Sequence, residues 1–166
     1  TTLSALLREF LLRDGGYAFT LEDPVEMPLD GTYHTVNGEL GICKQMNPPG
    51  GSWEAGLKSM LRSKPRYVYL GEIRDPEIAS EALRAAISGH LVMSTIHAST
   101  VTDAIQSIVK YAAATGISEE MAYDLVGNGI LAVLHQSLVG VPKRAKIEYV
   151  FANPDSSKGD QVRGII

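Results

Sequence analysis

Apolar residues recur along the chain with two spacings, and each spacing predicts one kind of element. Residues 2–13 carry leucine or phenylalanine every three or four positions, which predicts a helix with one buried face. Residues 17–21, 67–70 and 91–96 are short apolar runs with aromatic or β-branched side chains, which predict strands. Strands that alternate with helices indicate an α/β fold with a mainly parallel sheet flanked by helices.

Capping residues predict where further helices begin, because their side chains can accept hydrogen bonds from the first helical N–H groups. Candidate N-caps are Ser52, Asp75, Ser99 or Thr100, and Ser118. Other segments are less regular. Residues 32–36 and 41–45 are compatible with a hairpin. Residues 129–139 fit a helix or a strand, and residues 145–152 alternate like a strand.

Polar residues follow three of the predicted strands. Glu22 and Asp23 follow the first, Glu72 follows the second, and His97 ends the third. Open α/β sheets bind ligands at the carboxyl ends of their strands, so we expect these groups to converge on one crevice. Such a set suits hydrolysis of a phosphoanhydride: one carboxylate orients the attacking water, another holds a hydrated Mg²⁺, and a histidine or arginine stabilises the γ-phosphate.

Composition narrows the class of protein. The chain has 166 residues, of which 45% are hydrophobic and 20% charged, so we expect one globular domain over residues 1–152 and a polar C-terminal tail over 153–166. The net charge of −4 argues against a dedicated nucleic-acid binder, which usually has a basic balance. The single cysteine, Cys43, excludes a disulfide framework and a four-cysteine zinc site within this chain.

The sequence shows no targeting or membrane-spanning pattern. No apolar run reaches the ~20 residues that a helix needs to cross a bilayer, and no basic stretch precedes an apolar signal core. We therefore expect a cytoplasmic protein. The chain opens without methionine inside an amphipathic helix, so we also expect it to be part of something longer.

One part of a nucleotide site is not found in the sequence. No G-x-x-x-x-G-K-[ST] phosphate loop occurs anywhere. Such a loop feeds directly into a helix whose N-terminus supports the phosphates. Because Thr1 and Thr2 open a predicted helix, we expect the loop, and the strand that leads to it, to lie immediately upstream of this chain.

Four stretches in a fixed order carry a family resemblance. They are TTLSALL, YAFTLEDPVE, YLGEIRDPEIASEAL and SGHLVMSTIHAST, over residues 1–100. Together they resemble the GspE/PilT superfamily, the traffic ATPases of type II and type IV secretion and of type IV pili. The resemblance implies a RecA-like P-loop NTPase core, hydrolysis of ATP with Mg²⁺, and a homo-hexamer. It also implies that inner-membrane platform proteins of a secretion or pilus machine are its partners, which would hold it peripherally at that membrane.

The resemblance assigns the catalytic residues by their motifs. Glu72 resembles the catalytic glutamate of the family's Walker B motif. Glu22, Asp23 and Glu26 resemble its acidic box, which works with the metal and the water. His97 resembles the histidine nearest the γ-phosphate.

Binding residues are implied in the same way. Asp23 and Thr1 would hold the metal, and Thr1 is either the Mg²⁺-binding hydroxyl of the loop or the residue just after it. The implied nucleotide contacts are Thr1, Thr2, His90, Arg62 and Arg74. One stretch, LKSMLRSKPR, departs from the family pattern, because Lys58 replaces an arginine and two expected acids are absent.

Other interpretations stay open. Glu72 could cap the next helix or pair with Arg74, and Glu22 with Asp23 could form only a turn before proline. His90 could simply favour a helix C-terminus by its charge. At the level of the whole chain, the alternatives are a non-catalytic fragment for ring assembly or partner binding, and a RecA-like nucleic-acid motor.

Overall fold

The computed structural model describes residues 2–152. Thr1 and the tail predicted at 153–166 lie outside the described residues, so their predicted roles are not addressed by the fold. The chain divides into two compact units. The first comprises Thr1–Arg74 with Arg84–Thr95, and the second comprises Asp75–Leu83 with Ile96–Ile166. The expectation of one domain over residues 1–152 stays a prediction.

The first unit holds a five-stranded sheet with two helices. In chain order its elements are α1 (Thr2–Asp14), β1 (Gly16–Leu21), β2 (Gly31–His34), β3 (Leu40–Met46), α2 (Trp53–Arg62), β4 (Tyr67–Leu70) and β5 (Leu91–Ser94). Helix α3 (Pro76–Ile87) lies between β4 and β5 in the sequence, and each unit contains part of it. The second unit also contains α4 (Val101–Ala113), α5 (Glu119–Gly129), β6 (Ala132–Val139) and β7 (Arg144–Phe151).

The sheet of the first unit has the strand order β2-β3-β1-β4-β5. All neighbouring pairs are parallel except β2 with β3, which form the expected antiparallel hairpin. The strands β1, β4 and β5 end level with one another, since Leu21 pairs with Leu70 and Leu70 with Ser94. We call this end of the sheet the carboxyl edge, and the end where these strands begin the amino edge.

Helix α1 covers one face of this sheet and runs antiparallel to its strands. Leu7 and Leu11 are fully buried against the sheet. Phe10 stacks on Tyr67, the first residue of β4, with ring centroids 5.8 Å apart, whereas Ser4 hydrogen-bonds Tyr69, two residues further along that strand. Thirteen helical residues and six strand residues both span about 20 Å. The N-terminus of α1 therefore lies at the carboxyl edge.

A glycine permits the close approach of α1 to β3. An ideal Cβ at Gly41 would lie 2.6 Å from the carbonyl oxygen of Leu11, a distance that no side chain tolerates.

Helix α2 begins at the predicted N-cap, Ser52, whose hydroxyl accepts from the N–H of Ala55. Leu57 and Met60 bury the apolar side of α2.

The second unit has its own core, formed by one side of α4 and α5 with Leu83 of α3. The predicted helix starts are confirmed: Asp75 Oδ1 accepts from the N–H of Ile78, Thr100 rather than Ser99 caps α4, and Ser118 caps α5. The segment left open at 129–139 is resolved as the end of α5 followed by β6. β6 pairs antiparallel with β7, which confirms the strand predicted at 145–152.

The strand predicted at 91–96 is two residues too long. β5 ends at Ser94 because Thr95 leaves the ladder to bond the loop after β4: its hydroxyl donates to Gly71 O at 2.7 Å, and its carbonyl accepts from Ile73 N–H at 2.8 Å. His97 therefore follows the strand at a distance of three residues rather than ending it. Within residues 2–152, no helix is long and apolar enough to cross a membrane.

Candidate active site

The loops after β1 and β4 meet at the carboxyl edge. Gly71 N–H donates to Leu21 O at 2.8 Å, which extends the strand pairing by one step. An ideal Cβ at Gly71 would lie 3.3 Å from Glu22 Cα, so the absence of a side chain lets the two loops touch. The residues that follow them, Glu22 and Glu72, are thus neighbours in the fold although 50 positions separate them in the sequence.

Glu22 is a buried carboxylate with a fixed orientation. Its side chain is only 3% exposed. Its Oε1 accepts two hydrogen bonds, from Thr20 Oγ1 at 2.7 Å and from Gln45 Nε2 at 2.9 Å. Its backbone is also held, since Glu22 O accepts from Asn47 Nδ2 at 2.9 Å. Among residues 2–152 no donor contacts Oε2, so this oxygen keeps its acceptor capacity for a ligand.

Glu72 is held by an arginine that also reaches the first loop. Arg74 Nε donates to Glu72 Oε2 at 2.8 Å, and Arg74 Nη2 lies 3.4 Å from the carbonyl oxygen of Asp23. The side chain of Glu72 is 21% exposed and that of Arg74 is 51% exposed. The pair is therefore accessible from solvent, and Arg74 ties together the loops that carry the two glutamates.

Tyr69, in β4, is influenced by two of the same acids, Glu22 and Glu26. Burial raises the pKa of its hydroxyl, the hydrogen bond with Ser4 opposes that rise, and the negative charges of Glu22 and Glu26 add to it. Both carboxylates are therefore within electrostatic reach of the Tyr69 hydroxyl.

The other two acids that follow β1 differ from Glu22 in exposure: the side chains of Glu26 and Asp23 are exposed. The predicted acidic box thus consists of one buried and two exposed carboxylates.

Two predicted residues lie elsewhere in the first unit. His90 immediately precedes β5, and its Nδ1 donates to Pro65 O at 2.7 Å beside the start of β4. Arg62 ends α2, five residues before β4 begins. Both belong to the amino edge, about 13 Å from the carboxyl edge by the length of a four-residue strand. The structure does not bring them together with Glu22 and Glu72.

The remaining predicted residues are placed as follows. Thr2 is the first residue of α1 and lies at the carboxyl edge. His97 is exposed and belongs to the second unit. Thr1 lies outside the described residues. The nucleotide and metal roles of all these residues stay predictions.

Sequence reasoning missed the residues that hold the acids in place. Gln45 and Asn47 lie at the end of β3, and the irregular, glycine- and proline-rich sequence around this strand gave no sign that it pairs with β1. The strand itself was predicted at 41–45, and in the structure its buried Gly41 and Cys43 alternate with exposed residues, as in a strand with one buried face. That pattern predicts a strand but not its neighbour.

The side chains at this edge suit a hard cation. Glu22, Asp23, Glu26 and Glu72 supply only oxygen donors. Within residues 2–152 no group of three or more histidine, cysteine, aspartate or glutamate side chains forms a ready-made metal cage. Mg²⁺ does not require one, because it commonly takes one or two carboxylates and completes its shell with phosphate oxygens and water. The donor set therefore fits Mg²⁺ brought in with a phosphate ligand.

The sequence profile of one family, described as Type II/IV secretion system protein, matches residues 1–159. The chain belongs to this family. Among curated members of the family, Type II secretion system protein E of Aeromonas hydrophila is 37% identical over 142 residues, which cover 84% of this chain and 24% of that protein. The resemblance to the GspE/PilT superfamily is thereby confirmed.

Solved structures of the superfamily share the fold. The ATPase DotB of Legionella pneumophila matches with a TM-score of 0.75 and 27% identity over 93% of this chain and 42% of that one. The pilus retraction motor PilT, solved with bound ADP, matches with a TM-score of 0.70 and 26% identity over 89% and 42%. The predicted RecA-like α/β fold is confirmed. The chain spans less than half the length of each of these relatives.

Proposed function

We propose that this chain is the catalytic part of an ATPase that drives a type II/IV secretion or type IV pilus machine. The observation that carries the proposal is the carboxyl edge of the first unit, where Glu22 and Glu72 follow adjacent parallel strands and Arg74 links their loops. Relatives described as an ATPase and as a motor with bound ADP support the same chemistry.

We assign the attacking water to Glu72. Its carboxylate is held by Arg74 and is partly exposed, so it can accept a hydrogen bond from a water and orient it toward a terminal phosphoryl group. His97 keeps its predicted role at the γ-phosphate. Glu22 and Glu26 act beside the metal and the water, with the buried Glu22 as the more rigid of the two.

We place the phosphates at the N-terminus of α1. The first N–H groups of a helix have no intrahelical partner, and the helix dipole favours an anion there. Thr2 opens this helix at the same edge as the acids. Asp23 and Thr1 are the proposed metal-binding residues. A bound Mg²⁺ would neutralise negative charge on the phosphate oxygens.

The amino-edge residues need a different explanation. Arg62 and His90 lie about 13 Å from the carboxyl edge, so their predicted nucleotide contacts require a nucleotide bound to a neighbouring copy. A head-to-tail ring supplies such a neighbour. We therefore propose a homo-hexamer that acts at the cytoplasmic side of the inner membrane, on platform proteins of the machine. The acidic balance of the chain leads us to expect no direct nucleic-acid contact.

The test uses the intact parent protein. We expect it to bind ATP in the presence of Mg²⁺ and to release phosphate, and we expect Glu72→Gln to keep ATP affinity within about threefold while phosphate release falls at least about a hundredfold. Isothermal titration and a steady-state phosphate assay measure the two quantities.

Glu39→Gln is the matched control. Glu39 is an exposed glutamate just before β3, and β3 begins beside the start of β1 at the amino edge, so this variant should hydrolyse ATP at the parent rate. Hydrolysis by Glu72→Gln at the control rate would refute our assignment of the catalytic carboxylate. A parent that bound no ATP would refute the enzyme itself and favour the non-catalytic interpretation.

A further inference from the structure

Gln45 occupies a position from which one side chain can reach both Glu22 and the segment that follows it. It lies in β3, directly beside Thr20 of β1 in the parallel ladder. The segment 22–30 leaves β1, carries Asp23 and Glu26, and returns to β3 as β2 begins. We call it the acid loop.

The amide of Gln45 bonds to the acid loop at both ends. Its Nε2 donates to Glu22 Oε1 at 2.9 Å and to Met27 O at 3.0 Å. Its Oε1 accepts from the N–H of Leu29, and from the N–H of Asp30 at 2.7 Å. The amide thereby uses both donors and both acceptor positions of a glutamine.

The backbone of Gln45 completes the connection. Its N–H donates to Asp30 Oδ1 at 2.8 Å, so the side chain of the last loop residue binds back to the strand. Other hydrogen bonds also join this loop to the sheet: Thr20 Oγ1 donates to Glu22 Oε1, Glu22 N–H donates to Met46 O at 3.1 Å, Asn47 Nδ2 donates to Glu22 O, and Tyr33 Oη donates to Leu29 O at 2.6 Å. Gln45 is the residue that binds both the carboxylate at the start of the loop and the backbone at its end.

We propose that Gln45 is a positioning residue for catalysis, an inference that rests on the proposed function. It fixes Glu22 through Oε1, which leaves Oε2 for the metal or the water, and it holds the acid loop so that Asp23 and Glu26 keep one arrangement. A catalytic carboxylate displaced by about 1 Å can cost a hundredfold in rate, so the residue that fixes its position controls kcat rather than nucleotide binding.

Two substitutions separate the two contacts. Gln45→Glu keeps an acceptor for Leu29 and Asp30 but replaces the donor to Glu22 and to Met27 O by a carboxylate oxygen. Gln45→Met keeps the length of the side chain and removes every side-chain hydrogen bond. We expect both, in the intact parent, to lower kcat at least about tenfold with KM for ATP within about threefold. Gln106→Glu and Gln106→Met, at an exposed position on α4, are the controls and should keep the parent kcat.

A double-variant cycle shows whether Gln45 acts through Glu22. In a Glu22→Gln background the further change Gln45→Glu should lower kcat by less than about twofold, because the contact it breaks no longer serves a carboxylate. In the double variant Glu22→Gln, Gln45→Glu, the amide at position 22 can donate to the carboxylate at position 45. The hydrogen bond is thereby restored in the opposite direction, so the melting temperature of the double variant should exceed that of Gln45→Glu alone. A merely structural role would produce the full tenfold loss in both backgrounds.

The outcomes distinguish this inference from the function on which it rests. If the parent hydrolyses ATP and Glu72→Gln abolishes hydrolysis, but the Gln45 variants match the Gln106 variants, the Gln45 inference alone is refuted. Equal multiplicative losses in both Glu22 backgrounds would also refute it. A parent without ATPase activity would refute the proposed function, and the positioning role in catalysis would fail with it.

Discussion

The two edges of the sheet in the first unit use charged residues in opposite ways. At the amino edge, Arg13 forms an ion pair with Asp14 and lies over the ring of Phe10, while Arg66 lies over Tyr67 and reaches Asp14 O. These contacts hold α1 and the strand starts together.

At the carboxyl edge the charged groups are mainly acids that follow neighbouring strands. Glu22, Asp23, Glu26 and Glu72 lie there, and Arg74 contacts both the carboxylate of Glu72 and the backbone of Asp23. Carboxylates placed side by side repel one another, which is unfavourable for stability by itself. Their position beside the N-terminus of a helix fits the proposed ligand, with the phosphate at the helix and a metal ion next to the acids.

The largest difference in kcat should be between variants of two arginine–carboxylate pairs, Arg74–Glu72 at the carboxyl edge and Arg13–Asp14 at the amino edge. We expect Arg74→Ala to lower kcat about tenfold in the intact parent, because Glu72 loses the contact that orients it, whereas Arg13→Ala should leave kcat within about twofold. Both pairs are accessible to solvent, so neither variant should change the free energy of unfolding appreciably. A steady-state ATPase assay and chemical denaturation provide the two readouts.

The Michaelis constant separates two roles for Arg74. If it positions Glu72, kcat falls and KM for ATP changes little; if it contacts the nucleotide, as the family resemblance implies, KM rises as well. Equal rates for Arg74→Ala and Arg13→Ala would remove the difference between the edges on which our interpretation depends.

A smaller contrast concerns two tyrosines of β4. The hydroxyl of Tyr67, near the amino edge, is buried and has no hydrogen-bond partner among residues 2–152, whereas that of Tyr69 bonds Ser4. Tyr67→Phe should therefore be neutral or stabilising by up to about 1 kcal/mol, and Tyr69→Phe should destabilise by about 1 kcal/mol. Urea denaturation of the two variants measures the difference.

The double variant Ser4→Ala, Tyr69→Phe is the control for this comparison. Because both partners of the hydrogen bond are then absent, it should lose less stability than the two single variants together. A destabilised Tyr67→Phe variant would mean that its hydroxyl has a partner in solution.

Local sequence patterns predicted most of the fold. Leucine spacing predicted α1, capping residues predicted α2 to α5, and the β-rich run before Pro24 predicted β1, because each signal depends on neighbouring residues alone. The same patterns gave strand ends only approximately. Thr95 leaves β5 early because it bonds to the loop after β4, a contact between residues 24 positions apart that no local pattern encodes.

The acids of the candidate site were predicted, but their supports were not. Glu22 and Glu72 follow apolar strands, a position that an open α/β sheet reserves for ligands. Gln45 and Asn47 contribute because β3 happens to lie beside β1, and pairing between distant strands is a property of the whole fold. His90 shows the converse: its motif suggested a site residue, and its backbone position at the start of β5 places it on the other edge.

The contrast between the edges is tested most directly by two near-isosteric changes in the intact parent, Glu22→Gln at the carboxyl edge and Asp14→Asn at the amino edge. Each removes one negative charge. We predict that kcat for ATP falls at least about tenfold in Glu22→Gln and stays within about twofold of the parent in Asp14→Asn, with ATP affinity retained by both. Equal rates in the two variants, or a larger loss in Asp14→Asn, would contradict our conclusion that the carboxyl edge carries the chemistry.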